Sequence, residues 1–509
     1  MDMINFCIIL AIIIYLFVML IIGFIFSKNN EDSTDFYLGG RKMGPLVTAM
    51  SAEASDMSSW LLMGFPGLAY LSGICEPFWT ALGLGIGTYL NWLFIARRLR
   101  RYSDILDAYT VPQFFSKRFH DNKNILSAVA AFVIIIFFIP YTASGFSACG
   151  KLFNSLLGIN YKLAMITSAI VIAGYTIMGG FKAVSVTDFV QSCIMTLALI
   201  IALSYGINAA GGLTNIIKNA KTIPGYLSLY NYYDFNSGIK ASYGGKISVI
   251  STMAWGLGYF GMPHILLRFM AIKNEKELIF SRRVASVWVF ISMIAAILIG
   301  IVGLGITRVG LLKRFSTLAT AETILVQISN LIAQHGIFAA FMAGVIIAGI
   351  LASIMSTADS QMLAAASAIS ENIICEFMGK KIDEKKRILI ARVTIVAITI
   401  LGIIFALNPE SSVFYIVSFA WAGFGGSFGP VMLCALFWKR MTREGAFAGI
   451  IFGMLTVFIW KFLIKSLGGI FSIYELLPAF LVSFIVIIIV SLITKEPDSA
   501  ILREFEQSK

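Results

Sequence analysis

The chain has 509 residues, of which 58% are hydrophobic and 13% charged, with a net charge of +12 and a mean hydropathy of +0.86. So little polar surface excludes an ordinary soluble domain of this length and points to a polytopic membrane protein. The basic surplus alone would allow a nucleic-acid partner, but its distribution along the chain does not.

Apolar runs long enough to cross a bilayer as helices recur from end to end. Thirteen spans are expected, near residues 4–26, 44–74, 75–96, 124–157, 162–180, 183–209, 244–272, 280–307, 335–377, 387–407, 411–438, 444–465 and 473–494. They leave no room for a separate soluble domain. The first span lacks a basic leader and is too long for a cleavable signal, so it is expected to stay as an anchor. The six cysteines stand singly within apolar stretches, which argues against a disulfide or metal framework.

With alternate loops on opposite sides, 28 of the 39 Lys and Arg fall on one side and 11 on the other. The richer side, with Arg97, Arg98, Arg100, Arg101, Lys380, Lys381 and Lys439, is cytoplasmic by the positive-inside rule. The N-terminus is then outside and the C-terminus inside a cell membrane. Anionic lipid headgroups account for the surplus, and no nucleic acid is needed.

The second span carries Ser51-Ala52-Glu53-Ala54-Ser55-Asp56-Met57-Ser58-Ser59-Trp60 between apolar flanks. Carboxylates at that depth are expensive, so they must face a cavity, a partner helix or an ion. The seventh span contains Trp255-Gly256-Leu257-Gly258-Tyr259-Phe260-Gly261-Met262-Pro263-His264, whose glycines and proline unwind or kink a helix. Either patch alone would pass as a close-packing surface. Two interrupted spans in corresponding positions instead point to a midplane site in an inverted-repeat transporter. The expected division is an extra helix and loop over 1–43, a first repeat over 44–209 and an extracellular loop over 210–243. A second repeat over 244–438 follows, then two helices and a tail over 439–509.

In the ninth span Ser353, Ser356, Thr357 and Ser360 lie at i, i+3, i+4 and i+7, on one helical face. That stripe can coordinate a hard cation if the broken second span supplies facing carbonyls. Helix packing is the alternative, since Gly344, Ala348 and Ala352 continue the small-residue pattern. Asp188 and Asp359 are two further intramembrane carboxylates. The position of Asp359 points it elsewhere, toward a Lys or Arg at the cytoplasmic end.

Trp255, Tyr259 and Tyr141 offer flat aromatic walls, and helix N-termini at the unwound stretches can receive a carboxylate. No Arg is expected at the centre of a core span, with Arg268 near the cytoplasmic end of its helix. A small neutral zwitterion therefore fits better than an acidic sugar needing an arginine clamp. No GxxxxGK[ST] nucleotide motif occurs, and the three histidines are scattered, so neither ATP coupling nor an enzyme is expected.

The runs Asp35-Phe36-Tyr37-Leu38-Gly39-Gly40-Arg41, Ala54-Ser55-Asp56-Met57-Ser58 and Trp255 to Gly261 resemble the sodium/solute symporter family, closest to its sodium/proline symporter branch. Pro263-His264-Ile265-Leu266, Met355-Ser356-Thr357, Asn408-Pro409-Glu410 and Ala420-Trp421-Ala422-Gly423-Phe424-Gly425 match that branch too. The resemblance, from about residue 35 to about 460, implies an all-α, leucine-transporter-like five-plus-five inverted repeat. It implies sodium-coupled uptake of L-proline by alternating access, with sodium as coupling ion and no other cofactor or obligate protein partner.

By resemblance the sodium ligands are the carbonyls of Ala54, Met57 and Ser353 with the hydroxyls of Ser356 and Thr357. The proline site takes Asp56, Ser58, Ser59, Tyr141, Trp255, Tyr259, Pro263 and His264. A possible second cation sits between Asp188 and Ser360, beside Asp359. The branch commonly has glycine where Ser59 and Glu53 stand, which leaves open a symporter for another small amino acid or carboxylate solute. A channel remains a rival of another class.

Overall fold

Backbone polar groups in hydrocarbon must be satisfied within their own segment, and this chain does so with helices. The computed structural model describes residues 3–27, 33–178 and 180–509. Ten described helices are long and apolar enough to cross a membrane. The two interrupted segments and Tyr161–Met178 complete the thirteen expected spans. In chain order, α1 is Met3–Ser27 and α2 is Pro45–Asp56 followed by Trp60–Ser72. Next come α3 (Cys75–Ile105), α4 (Ile125–Leu157), α5 (Tyr161–Met178) and α6 (Phe181–Ala209). The seventh, α7, runs as Gly245–Met253, Ala254–Gly261 and Pro263–Ala271. The rest are α8 (Leu278–Arg308), α9 (Ile337–Phe377), α10 (Glu384–Phe405), α11 (Val413–Phe437), α12 (Arg443–Leu467) and α13 (Leu476–Ile493).

Both interruptions fall where the residues demand them. In α2 the helix stops at Asp56, Met57 leaves helical geometry at φ −80°, ψ 71°, and winding resumes at Trp60. The stop frees the last carbonyls of the first half. In α7 the stretch Ala254–Gly261 tightens to a 3₁₀ helix, and Met262 is extended at φ −78°, ψ 108°. Pro263 then opens the second half from a position that needs no N–H donor. A Cβ on Gly256 would lie 2.1 Å from the Gly83 carbonyl oxygen, so α3 rests directly on the thinned backbone.

Around these breaks α9 packs along α1 and α6, while α11 lies against the 3₁₀ stretch of α7. The last two spans pack on each other and on α11. A hairpin of Asn231–Asp234 with Ile239–Ser242 caps one face. On that face the buried pair Lys151–Glu322, 2.6 Å apart, ties the loop after α8 to α4. The opposite, basic face carries the short helix Val111–Arg118 and the C-terminal helix Ser499–Gln507. Large apolar side chains such as Phe17, Ile170 and Ile200 stand exposed on the outer surfaces of α1, α5 and α6, where lipid would cover them.

Candidate functional site

The hydroxyl row of α9 faces inward, against the end of the first half of α2. Ser353, Ser356, Thr357 and Ser360 are all buried. Ser356 Oγ donates to the Ala54 carbonyl at 2.8 Å, and Thr357 Oγ1 reaches the same oxygen at 3.5 Å. Both hydroxyls also approach the Ser353 carbonyl, at 3.3 and 3.2 Å. One freed carbonyl, one carbonyl of the continuous α9 and two hydroxyls thus gather at one point, an all-oxygen set of the kind a hard cation takes. Met57, three residues beyond Ala54, is the break itself and is fully buried.

Asp56 sits at the last helical position before the break. Tyr259 donates its phenol to Asp56 Oδ2, so the two interrupted helices touch through their polar residues. The Asp56 carbonyl accepts from Trp60 Nε1 at 3.0 Å and from Tyr141 Oη at 3.4 Å. Its other carboxylate oxygen, Oδ1, has no hydrogen-bond partner among the described residues. A buried carboxylate with one free oxygen is a receptor for an ammonium or a metal ion. Ser58 Oγ accepts from the Trp60 amide at 3.5 Å, while Ser59 Oγ is buried and without a partner among the described residues.

Trp255 closes this region on one side. Its ring lies 6.2 Å from Trp60, 5.4 Å from Phe414 and 5.1 Å from Tyr474, the last in stacked geometry. Its carbonyl accepts from Trp421 Nε1 at 2.7 Å. It also floors a cavity of about 530 Å³ opening toward the hairpin face, with Glu76, Tyr243, Tyr415, Lys465 and Tyr474 in its walls. Pro263 and His264 begin the second half of α7. The His264 ring lies 5.6 Å from Phe138 and its carbonyl accepts from Arg268 Nη1 at 2.7 Å.

The acidic group expected to hold a second cation is arranged differently from the expectation. Arg268 is 2% exposed, and its Nη2 lies 3.1 Å from Asp188 Oδ2 and also bonds Ser360 Oγ. Its Nε bonds Ser51 Oγ at 3.1 Å, and Ser51 donates to the same Asp188 oxygen at 2.7 Å. Arg268 stands in the last turn of its helix half, as expected, but its side chain is buried in the core. The long side chain reaches back from the second half of α7, and its guanidinium supplies positive charge among the three residues. Asp359 also differs: it accepts from Tyr175 of α5 and from Ser360, and among the described residues it makes no ion pair with a Lys or Arg at the helix end.

Glu53, the carboxylate in need of a partner, accepts from Trp92 Nε1 at 3.0 Å. Phe414, Trp421 and Tyr474 were not among the expected site residues. Trp421 had a signal in its glycine-flanked run, whereas Tyr474 lies just before α13, outside either repeat, and had none.

Two broken helices that meet through Tyr259 and Asp56, an oxygen cluster on a third and an aromatic-walled cavity have the form of a broken-helix secondary transporter. The sodium:solute symporter family profile matches residues 36–453, and the chain belongs to that family. It is 40% identical over 501 residues to an osmoregulated proline transporter of Bacillus subtilis, covering 98% of this chain and 97% of that one. It is 38% identical over 496 residues to a sodium/proline symporter of Escherichia coli, covering 97% and 95%. A solved structure of a sodium-coupled sialic acid symporter, substrate-bound and outward-open, superposes with a TM-score of 0.79 at 18% identity, covering 97% of this chain and 98% of that one. That likeness fixes the leucine-transporter-like, five-plus-five fold.

Proposed function

We propose that this protein takes up L-proline together with sodium by alternating access. The observation that carries the reading is the meeting of the Ser356 and Thr357 hydroxyls with the Ala54 carbonyl, two residues before Asp56. Near-full-length similarity to proteins named for sodium-coupled proline transport supports it.

Sodium is the coupling substrate, held by the carbonyls of Ala54, Met57 and Ser353 and the hydroxyls of Ser356 and Thr357. Its binding would tie α2 to α9 and fix the wound end that carries Asp56. The proline ammonium would then meet Asp56 Oδ1, its carboxylate the amides of the unwound stretches, and its ring the Trp255–Tyr259–Tyr141 walls. Ser58, Ser59, Pro263 and His264 complete the lining. Arg268 neutralises Asp188 and bonds Ser360, so Asp359 is the carboxylate at which a second cation would balance charge. The repeats run over 44–209 and 244–438, and the basic face is cytoplasmic, with the N-terminus outside.

One charge moving down 100 mV yields about 2.3 kcal/mol. A tenfold sodium gradient adds about 1.4 kcal/mol, and the sum supports accumulation of several hundredfold. The test is labelled-proline uptake into proteoliposomes with and without an inward sodium gradient, challenged by a panel of amino acids and small carboxylates. Sodium-stimulated, saturable uptake displaced best by proline is expected. Displacement by a different solute at lower concentration would reassign the substrate, and sodium-independent flux would reject symport.

A further inference from the structure

On the basic face, the last turns of α3 carry Arg98 and Tyr102, and the helix Val111–Arg118 ends beside them. Tyr102 and Arg118 are 0% exposed. Arg118 Nε donates to the Ala435 carbonyl at 3.0 Å. Five other donors have no hydrogen-bond partner among the described residues: Arg98 Nε and Nη2, Arg118 Nη1 and Nη2, and Tyr102 Oη.

The C-terminal helix pushes Phe505 into this group. The Phe505 ring centre is 4.6 Å from Arg98 Cζ and 5.1 Å from Arg118 Cζ, while Arg118 Cζ lies 5.4 Å from the Tyr102 ring. Ring faces attract a guanidinium but accept none of its N–H bonds, so the edges stay unsatisfied. Nearby carboxylates are engaged elsewhere. Glu504 meets His120 Nε2 at 2.9 Å, Glu506 meets Lys509 at 2.6 Å, and Asp121 holds the Leu126 amide and faces Arg443. A buried Arg118 and a half-buried Arg98 with four unpaired guanidinium nitrogens between them are unfavourable, and several oxygens on one anion would relieve both.

We propose that Arg98, Tyr102 and Arg118 form a binding site for a phosphoryl anion, with Phe505 as its buttress. A phosphoryl group accepts from two guanidinium forks at once, which a lone carboxylate does less well. Its source is the headgroup of an anionic phospholipid or free phosphate. The surroundings favour the headgroup, because Phe94 one turn before Arg98 is 52% exposed and Phe437, 5.1 Å from Arg98 Cζ, is 45% exposed. Acyl chains would lie along those rings with the phosphate at Arg98.

The test uses the full-length protein in mild detergent, stripped of lipid and offered phosphatidylglycerol, phosphatidylcholine or inorganic phosphate. Adducts are counted by native mass spectrometry, and unfolding is followed in parallel. Wild type should retain phosphatidylglycerol over phosphatidylcholine, and Arg98→Gln should weaken that retention about fivefold, the value of one interfacial guanidinium. Arg101→Gln loses the same charge from the same helix, but Arg101 is paired with Glu275 and should behave as wild type. Phe505→Ala should weaken retention as Arg98→Gln does. Protection by inorganic phosphate in wild type, lost in Arg98→Gln, with no lipid preference would keep the anion site and assign it to free phosphate. Equal responses of the Arg98 and Arg101 variants, or no response to either phosphoryl ligand, would overturn the proposal.

Discussion

Ser356→Ala removes the hydroxyl that makes the shorter contact with the freed carbonyl of α2, 2.8 Å against 3.5 Å for Thr357. If that hydroxyl ligates the coupling ion, its loss removes one oxygen from a charged partner. Such an interaction is worth about 1.5–3 kcal/mol, or roughly a 10- to 150-fold rise in the sodium concentration for half-maximal uptake. Thr357→Ala, at the longer contact, should act in the same direction but less strongly. Initial rates of proline uptake into proteoliposomes, measured across sodium concentrations at saturating proline, read this directly. Ser367→Ala is the control: its hydroxyl is buried on the same helix but donates only to the Ala364 carbonyl at 2.8 Å. An Ser356→Ala protein with wild-type sodium dependence, or an Ser367→Ala protein shifted as far, would refute the assignment of this oxygen cluster to the ion.

Asp56→Ala should abolish sodium-driven uptake while the protein still inserts and purifies as a folded species; retained transport would remove its role. Arg268→Gln leaves the Asp188 carboxylate buried without its cation, and should destabilise the protein by about 3–5 kcal/mol, visible in thermal unfolding. Adding Asp188→Asn should recover part of that loss, and a double variant no more stable than Arg268→Gln would speak against the pair. Gly258→Ala would place a methyl 2.0 Å from Trp421 Nε1, where α11 meets the 3₁₀ stretch. A loss of about 1–3 kcal/mol is expected, and wild-type stability would mean the contact yields easily.

The spans were legible because apolar length is a strong signal: α4, expected at 124–157, is Ile125–Leu157, and the last span, expected at 473–494, is Leu476–Ile493. Both interruptions were legible too, through Asp56 and the serines in one case and Gly258, Gly261 and Pro263 in the other. Helical spacing put the Ser356 row on one face, and the structure shows that this face is buried. What spacing does not carry is the reach of a flexible side chain. Arg268 lies five residues after Pro263, and only the fold tells whether its guanidinium extends to the headgroups or back to Asp188. Partners from distant segments were hidden for the same reason: Trp92 for Glu53 and Tyr175 for Asp359 are separated from them by 39 and 184 residues.

The stacking of Tyr474 on Trp255 joins the ten-helix engine to a segment beyond it. The tyrosine also anchors itself twice, through its amide to Ser251 at 2.7 Å and its phenol to the Ser418 carbonyl at 2.6 Å. A chain shortened to its symmetric halves would keep every oxygen proposed for sodium yet lose one panel of the solute chamber. On the proposed reading, selectivity would be open to adjustment from a connector outside the proposed repeats.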